Sequence, residues 1–299
     1  VRDAALFIEM TDRKDSRGDA FYTAPNPPYG ALVTYYLRDG VETLRELRID
    51  AEKEAGEAKR EPPLPAIAEL RAEDEQVEPQ VLLVVRDAAG EVVRRVVADR
   101  KKGLHRASWD LRYPAETPVD LTPPKEFAPW EQPERGPLVG PGTYSVTLEQ
   151  QLDGVVTALA GPQQFRVTAL DLATLRATNL GEAQAFKAEL RELRRAVSGS
   201  LEAAKAFDER IKHVRQAILD TPAADPALFA EAERLGDSLD EIMVALRGDP
   251  TKEARNVFQP PSIRDRVERI ASDQYYVSSA PTKTQRDAYG WAANAFAVE

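Results

Sequence analysis

The hydrophobic period of this chain changes near residue 170, and that change constrains the fold more than any motif does. Upstream, apolar residues alternate in short runs broken by Gly and Pro; downstream, they recur every third or fourth position over long stretches. Side chains alternate faces along a strand and return to one face about every 3.6 residues on a helix. The first half therefore reads as β and the second as α. At 299 residues the chain is long enough for about two domains with a core each.

In the β half, ALVTYYL (31 to 37) follows the Pro-rich approach NPPYG. VLLVV (81 to 85) precedes the turn DAAG and a second run, EVVRRVV (91 to 97). Asp87 and Gly90 bracket a short hairpin in which Gly supplies the left-handed conformation. In GLHRASWDLRYP, an unbroken alternation puts His105, Ala107, Trp109, Leu111 and Tyr113 on one face of a strand. Arg106, Ser108, Asp110 and Arg112 fall on the other. PGTYSVTLEQ, VVTALA and QFRVTAL complete about seven strands. Short strands joined by turn signals predict an antiparallel immunoglobulin-like β-sandwich over residues 1–170. Two segments interrupt it: a helical insertion at about 40–78, highly charged with a Pro-rich break, and a Pro-rich loop at about 114–141. A sandwich connection needs nothing as long as the insertion, and such additions are where partner contacts often lie.

Residues 171–299 predict an α-helical bundle built on one long helix, so the whole chain reads as a multidomain α+β protein. Ala183, Phe186, Leu190, Leu193 and Val197 keep three-four spacing, and after a stutter at Ser198-Gly199-Ser200 the series resumes through Phe207, Val214 and Ile218. Asp225-Pro226 opens a second helix whose stripe includes Leu228, Leu235, Leu239 and Leu246. Ser262 with Asp265, and Thr282 with Gln285, have capping-box spacing and open two shorter helices.

Composition narrows function mainly by exclusion. A net charge of −10 disfavours a nucleic-acid reader, which clusters Lys and Arg; Arg94-Arg95 and Lys101-Lys102 read as solvated faces. With 42% hydrophobic and 30% charged residues, the chain reads as a soluble globular protein, and no apolar run approaches the roughly 18 residues of a membrane span. The absence of cysteine removes disulfides, thiolate metal sites and cysteine nucleophiles. The opening VRDAALFIEM, without an initiator Met or a signal sequence, reads as a fragment or processed piece of something longer.

Candidate sites are few. His105 and His213 are the only imidazoles, too few for a zinc site, and each reads as packed or surface rather than catalytic. Trp109 and Asp110 are adjacent, so on a strand they point to opposite faces and cannot serve one ligand. No GxSxG, GxxxxGK[ST] or GxGxxG occurs, and Arg17-Gly18-Asp19 reads as a chance tripeptide. The expectation is no catalytic residue, no metal ligand and no cofactor. Phe127 and Trp130, in the Pro-stiffened FAPWEQPERGP, are the candidate ligand or partner contacts.

The ordered segments FYTAPNPPYGALVTYYL, VLLVVRDAAGEVVRRV, GLHRASWDLRYP and GPGTYSVTL resemble the region that follows the β-propeller in large bacterial BNR-repeat proteins. These are sialidase-like and sortilin-like proteins often labelled glycosyl hydrolases. Within this region Val81 to Leu148 also resembles the immunoglobulin-like module of the flagellar hook-capping type. The family's propeller repeats carry an Asp-box, roughly Ser-x-Asp-x-Gly-x-x-Trp, and no such box occurs here, so no functional residue carries over. The resemblance implies export to the periplasm, the cell surface or the medium. It also implies an accessory role beside an upstream propeller. The residues themselves, with two cores and no convergent polar constellation, read as a non-catalytic structural and interaction region with an upstream propeller or another protein as partner, and Phe127 and Trp130 motivate accessory glycan binding as the alternative.

Overall fold

The computed structural model describes residues 1–6, 28–62, 64–119, 135–170, 179–275 and 277–298. These form a mixed α+β structure. Its contacts divide into two units: Val1–Tyr113 with Val139–Ala173, and Pro114–Leu138 with Thr174–Glu299.

In the first unit, β1 (Ala4–Leu6), β2 (Ala31–Leu37), β3 (Gln80–Arg86), β4 (Val92–Ala98), β5 (Gly103–Trp109), β6 (Gly142–Leu152) and β7 (Val155–Ala169) make two sheets. One is five-stranded, in the order β1-β7-β6-β3-β4; the other pairs β2 with β5 antiparallel. The run Val81 to Val85 is buried at every position, which explains why β3 reads as continuously apolar: both of its faces are covered. The turn into β4 forms as the sequence predicts. Gly90 takes φ +87°, and the Asp87 carboxylate accepts from the amides of Ala89 and Glu91 at 2.9 and 3.0 Å.

Trp109, at the end of β5, is 1% exposed. Its ring meets Tyr144 of β6 at 5.4 Å and Phe165 of β7 edge-on at 6.1 Å, so a residue of the two-stranded sheet fills the core over the five-stranded one. Its indole N–H, which cannot be left unsatisfied in a core, donates to the carbonyl of Arg112 at 3.0 Å.

Three expectations for this half need correction. The alternation expected through Tyr113 stops at Trp109: Leu111 takes φ +56° and is buried, and Arg112, expected on the outer face, is buried as well. The chain turns there, with the Asp110 carboxylate accepting from the Arg112 amide at 3.2 Å, and a period of two no longer applies. Next, VVTALA and QFRVTAL are one strand, β7, carried across Gly161-Pro162 by irregular register against β6. Finally, the sheet is not purely antiparallel, because β1 pairs with β7 in parallel. Three residues were too short a run to signal a strand.

The insertion between β2 and β3 forms two helices, α1 (Leu44–Glu57) and α2 (Ile67–Glu75). In the second unit, α3 (Leu180–Leu219) runs 40 residues without a break, about 60 Å. It is followed by α4 (Ala227–Arg247), α5 (Pro250–Glu253), α6 (Ile263–Tyr275) and α7 (Lys283–Val298). Both capping boxes are present. The Ser262 hydroxyl accepts from the Asp265 amide while the Asp265 carboxylate accepts from the Ser262 amide; Thr282 and Gln285 repeat the exchange.

The core of this unit joins Phe186 through Ala204 of α3 to Met243 and Leu246 of α4, Val267 and Ile270 of α6, and Ala292 of α7. Beyond Ala204 the expected stripe continues but is only partly covered: Phe207 is 57% exposed and Val214 46%, while Ile211 and Ile218 are part-buried. The 13-residue α6 spans only about 20 Å, too little to follow α3 to its end.

Pro114–Leu138 groups with these helices. Arg194 of α3 donates to Glu116 at 2.8 Å and to Glu268 of α6 at 2.9 Å, so a buried carboxylate from the Pro-rich segment is paired within the helical unit.

Candidate functional site

The tryptophan, the aspartate beside it and the histidine ahead of them each have their own local contacts. Trp109 is core, and the Asp110 carboxylate is engaged by the turn that follows it. His105 stacks on Tyr35 at 5.4 Å. Its Nε2 bonds the Lys101 carbonyl at 2.7 Å and its Nδ1 lies 3.7 Å from Asp99. Tyr35 donates to the Asp99 carbonyl at 2.7 Å; burial and then the nearby Asp99 charge raise its pKa. The imidazole is thus part of a strand-edge contact. His213 lies on α3, in the other unit, with Nδ1 on the Glu209 carbonyl of the preceding turn. Among the described residues no three His, Asp or Glu side chains are grouped so as to hold a metal ion. Lys187 is largely buried, which lowers its pKa, and its ammonium is engaged by the Val277 carbonyl at 2.7 Å.

Phe127, Trp130 and the Arg17-Gly18-Asp19 tripeptide lie outside the described residues.

The surface with the most unusual physics is the α1–α2 insertion. Neither helix has a single buried residue, so hydrophobic burial cannot be what holds it. Short helices without a packed face are marginal in water, and polar clamps substitute here. Thr43 caps α1 in a full capping box with Glu46. The Arg100 guanidinium, reaching from the β4–β5 connection, donates to both Glu46 oxygens at 2.8 and 3.0 Å and to the Val41 carbonyl at 2.7 Å. Arg100 and the Thr43 amide together hold the Glu46 carboxyl well below its usual range, to about 2. Arg48 of α1 bridges to Glu73 of α2 at 2.6 Å and to Glu52 at 2.7 Å. The Leu44 amide donates to Gln76, whose own side chain reaches Asp153 on the β6–β7 turn.

With its polar groups fastened, the insertion leaves its apolar ones outside. Leu64 is 96% exposed and Ile67 66%, with Leu47, Ile49 and Val77 also exposed. Between the two helices lies a groove of about 500 Å³, with Leu44, Ala51, Leu64, Ala66 and Ala72 on its walls and Glu52, Glu69 and Glu73 around it.

Other concavities lie among the described residues. One of about 600 Å³ joins the end of β2 to the β6–β7 ribbon, with Tyr36, Arg38, Asp39, Glu42 and Gln150 among its lining residues. Another, of about 410 Å³, is an apolar groove between the far end of α3 and α4, lined by Phe207, Ile211, Val214, Leu235 and Leu239. The sequence flags the insertion as a place for partner contacts but does not single out Leu64, Glu52 or Glu69. The signal available was charge: Gly40 to Glu78 holds twelve carboxylates against six Lys and Arg.

No helix among the described residues is long and apolar enough to cross a membrane. The chain matches no family model, no curated protein and no solved structure.

Proposed function

We propose that this chain is a non-catalytic structural and interaction region of an exported bacterial protein. It scaffolds an upstream BNR-type β-propeller or mediates protein assembly in the periplasm, at the cell surface or outside the cell. On this reading the first unit is an immunoglobulin-like sandwich and the second a helical bundle. Trp109 bridging the two sheets supports the former, and the core shared by α3, α4, α6 and α7 supports the latter.

The observation that carries the proposal is the insertion. It is a pair of helices held by clamps rather than by burial, presenting apolar side chains to solvent at the rim of a sheet domain. A folded element that leaves its large apolar side chains exposed is suited to covering them with something else. Replacing residues 43–77 by a short Gly-Ser linker is expected to leave the sheet unit folded, with Trp109 fluorescence still that of a buried indole, and to abolish association with the protein's partner. If the deletion unfolds the sheet unit, the insertion is core and the reading fails.

A glycan-binding role is the competing reading. It is favoured by the concavity beside Tyr36, where an exposed aromatic sits among Asp39, Glu42 and Gln150 as hydrogen-bonding groups. Binding on a glycan array that is lost in Tyr36→Ala or Trp130→Ala would establish it; an array without binding removes its support.

A further inference from the structure

The geometry points to a basic amphipathic helix, contributed by a partner protein, as the occupant of the groove between α1 and α2. The inference rests on the interaction role proposed above and names the chemistry of the partner. Three observations converge on it.

The groove is the right kind of surface. Two helices with a trough between them accept a third helix by its apolar face, the helix-in-groove mode read as anchors three and four residues apart. Leu44, Ala51, Leu64, Ala66 and Ala72 supply the apolar wall, and Leu64, almost wholly exposed, gains the most from being covered.

Charge selects the partner. The segment from Gly40 to Glu78 carries a net charge of about −6, more than half of the chain's −10. The groove is lined by Glu52, Glu69 and Glu73 and by one cation, Arg48, which is already shared between Glu52 and Glu73; Arg45 also acts on Glu73, so the carboxylates outnumber the cations by three to two. The rim is therefore net negative. Lys or Arg on the flanks of an incoming helix meet complementary charge, which speeds encounter and fixes orientation.

The same charge excludes a second copy of this chain at this face. Two insertions of net charge about −6 would bring like-charged rims together, a juxtaposition that suppresses pairing.

The test is a fluorescence-anisotropy titration of the full chain with a labelled Leu/Lys amphipathic peptide of about five helical turns, roughly 18 residues. Two controls accompany it: the same peptide with every Lys changed to Glu, and one with every Leu changed to Ser. The Leu/Lys peptide is expected to bind with a micromolar dissociation constant that weakens as salt rises, and neither control is expected to bind. Leu64→Asp, and separately the pair Glu52→Gln with Glu69→Gln, should each weaken binding about tenfold or more. Gln preserves the cap that Glu69 makes with the Ala66 amide, and unchanged far-UV circular dichroism verifies that both variants keep their helices. Absent binding, equal binding to both variants, or equal binding of the acidic peptide overturns the inference. If the peptide fails while deleting the insertion still abolishes partner association, only the partner's chemistry is wrong. If the deletion also leaves association intact, the interaction role falls with it.

Discussion

Trp109 and Gly30 show how much of this molecule hangs on single positions. The indole fills the space between Tyr144 and Phe165, so Trp109→Ala is expected to cost about 3 to 5 kcal/mol, the usual range for a large aromatic truncated in a core. Urea unfolding followed by circular dichroism measures it. His105→Ala, whose side chain is only partly buried at the strand edge, is expected to cost only about 1 kcal/mol. Gly30, just before the Ala31 that pairs with Trp109, lies against the Trp109–Asp110 peptide: it takes φ +104°, and a Cβ there would lie 1.9 Å from the Trp109 carbonyl oxygen. Gly90 also has positive φ but open space around it. Gly90→Ala therefore carries only the backbone penalty of about 1 kcal/mol, whereas Gly30→Ala must also push two strands apart. The difference between the two variants, read from the same unfolding curves, isolates the clash; equal costs would show that the close approach is not real.

At the scale of elements, the insertion is held by ion pairs and caps rather than by buried residues, and that makes it pH-dependent. The Glu46 carboxyl titrates at about 2 in the folded chain against 4.5 without its partners. A group whose folded pKa is depressed contributes stability that is complete above its unfolded value and lost as pH falls through the folded one. The insertion is therefore expected to loosen between about pH 4.5 and pH 2. Hydrogen exchange of the α1 amides across that window detects the change, and Glu46→Gln, which keeps a cap but not the ion pair, should flatten it. Thr43→Ala removes the hydroxyl half of the same capping box and should cost about 1 kcal/mol at neutral pH, visible as lower α1 protection.

For the molecule as a whole, the division into two units predicts two calorimetric transitions. Each unit has its own buried set, one around Trp109 and Val81–Val85, the other around Phe186, Val197 and Ile270. Trp109→Ala should lower only one transition. Arg194→Ala should lower only the other, by about 3 to 5 kcal/mol, because it leaves the buried Glu116 carboxylate without its guanidinium partner. A single transition moved by both variants would show that the two cores unfold as one.

The sequence by itself determined the order of strands and helices wherever a local rule applies. The change of period near residue 170, the Asp87–Gly90 turn, the two capping boxes and the 40-residue α3 are all set by residues within a turn or two of each other. Local chemistry suffices for these. Only the tertiary structure decided the rest. The parallel partner of β7 is three residues at the far end of the chain, too short to carry a pattern. The alternation through Leu111 and Arg112 reads as strand until the chain turns over the core and buries both faces. The stripe on α3 looks equally buried along its length, yet where burial ends depends on how far α6 and α7 reach, which no spacing within α3 records. The groove at Leu64 is likewise invisible in sequence, because it exists only once Arg48 and Glu73 have drawn α1 and α2 together.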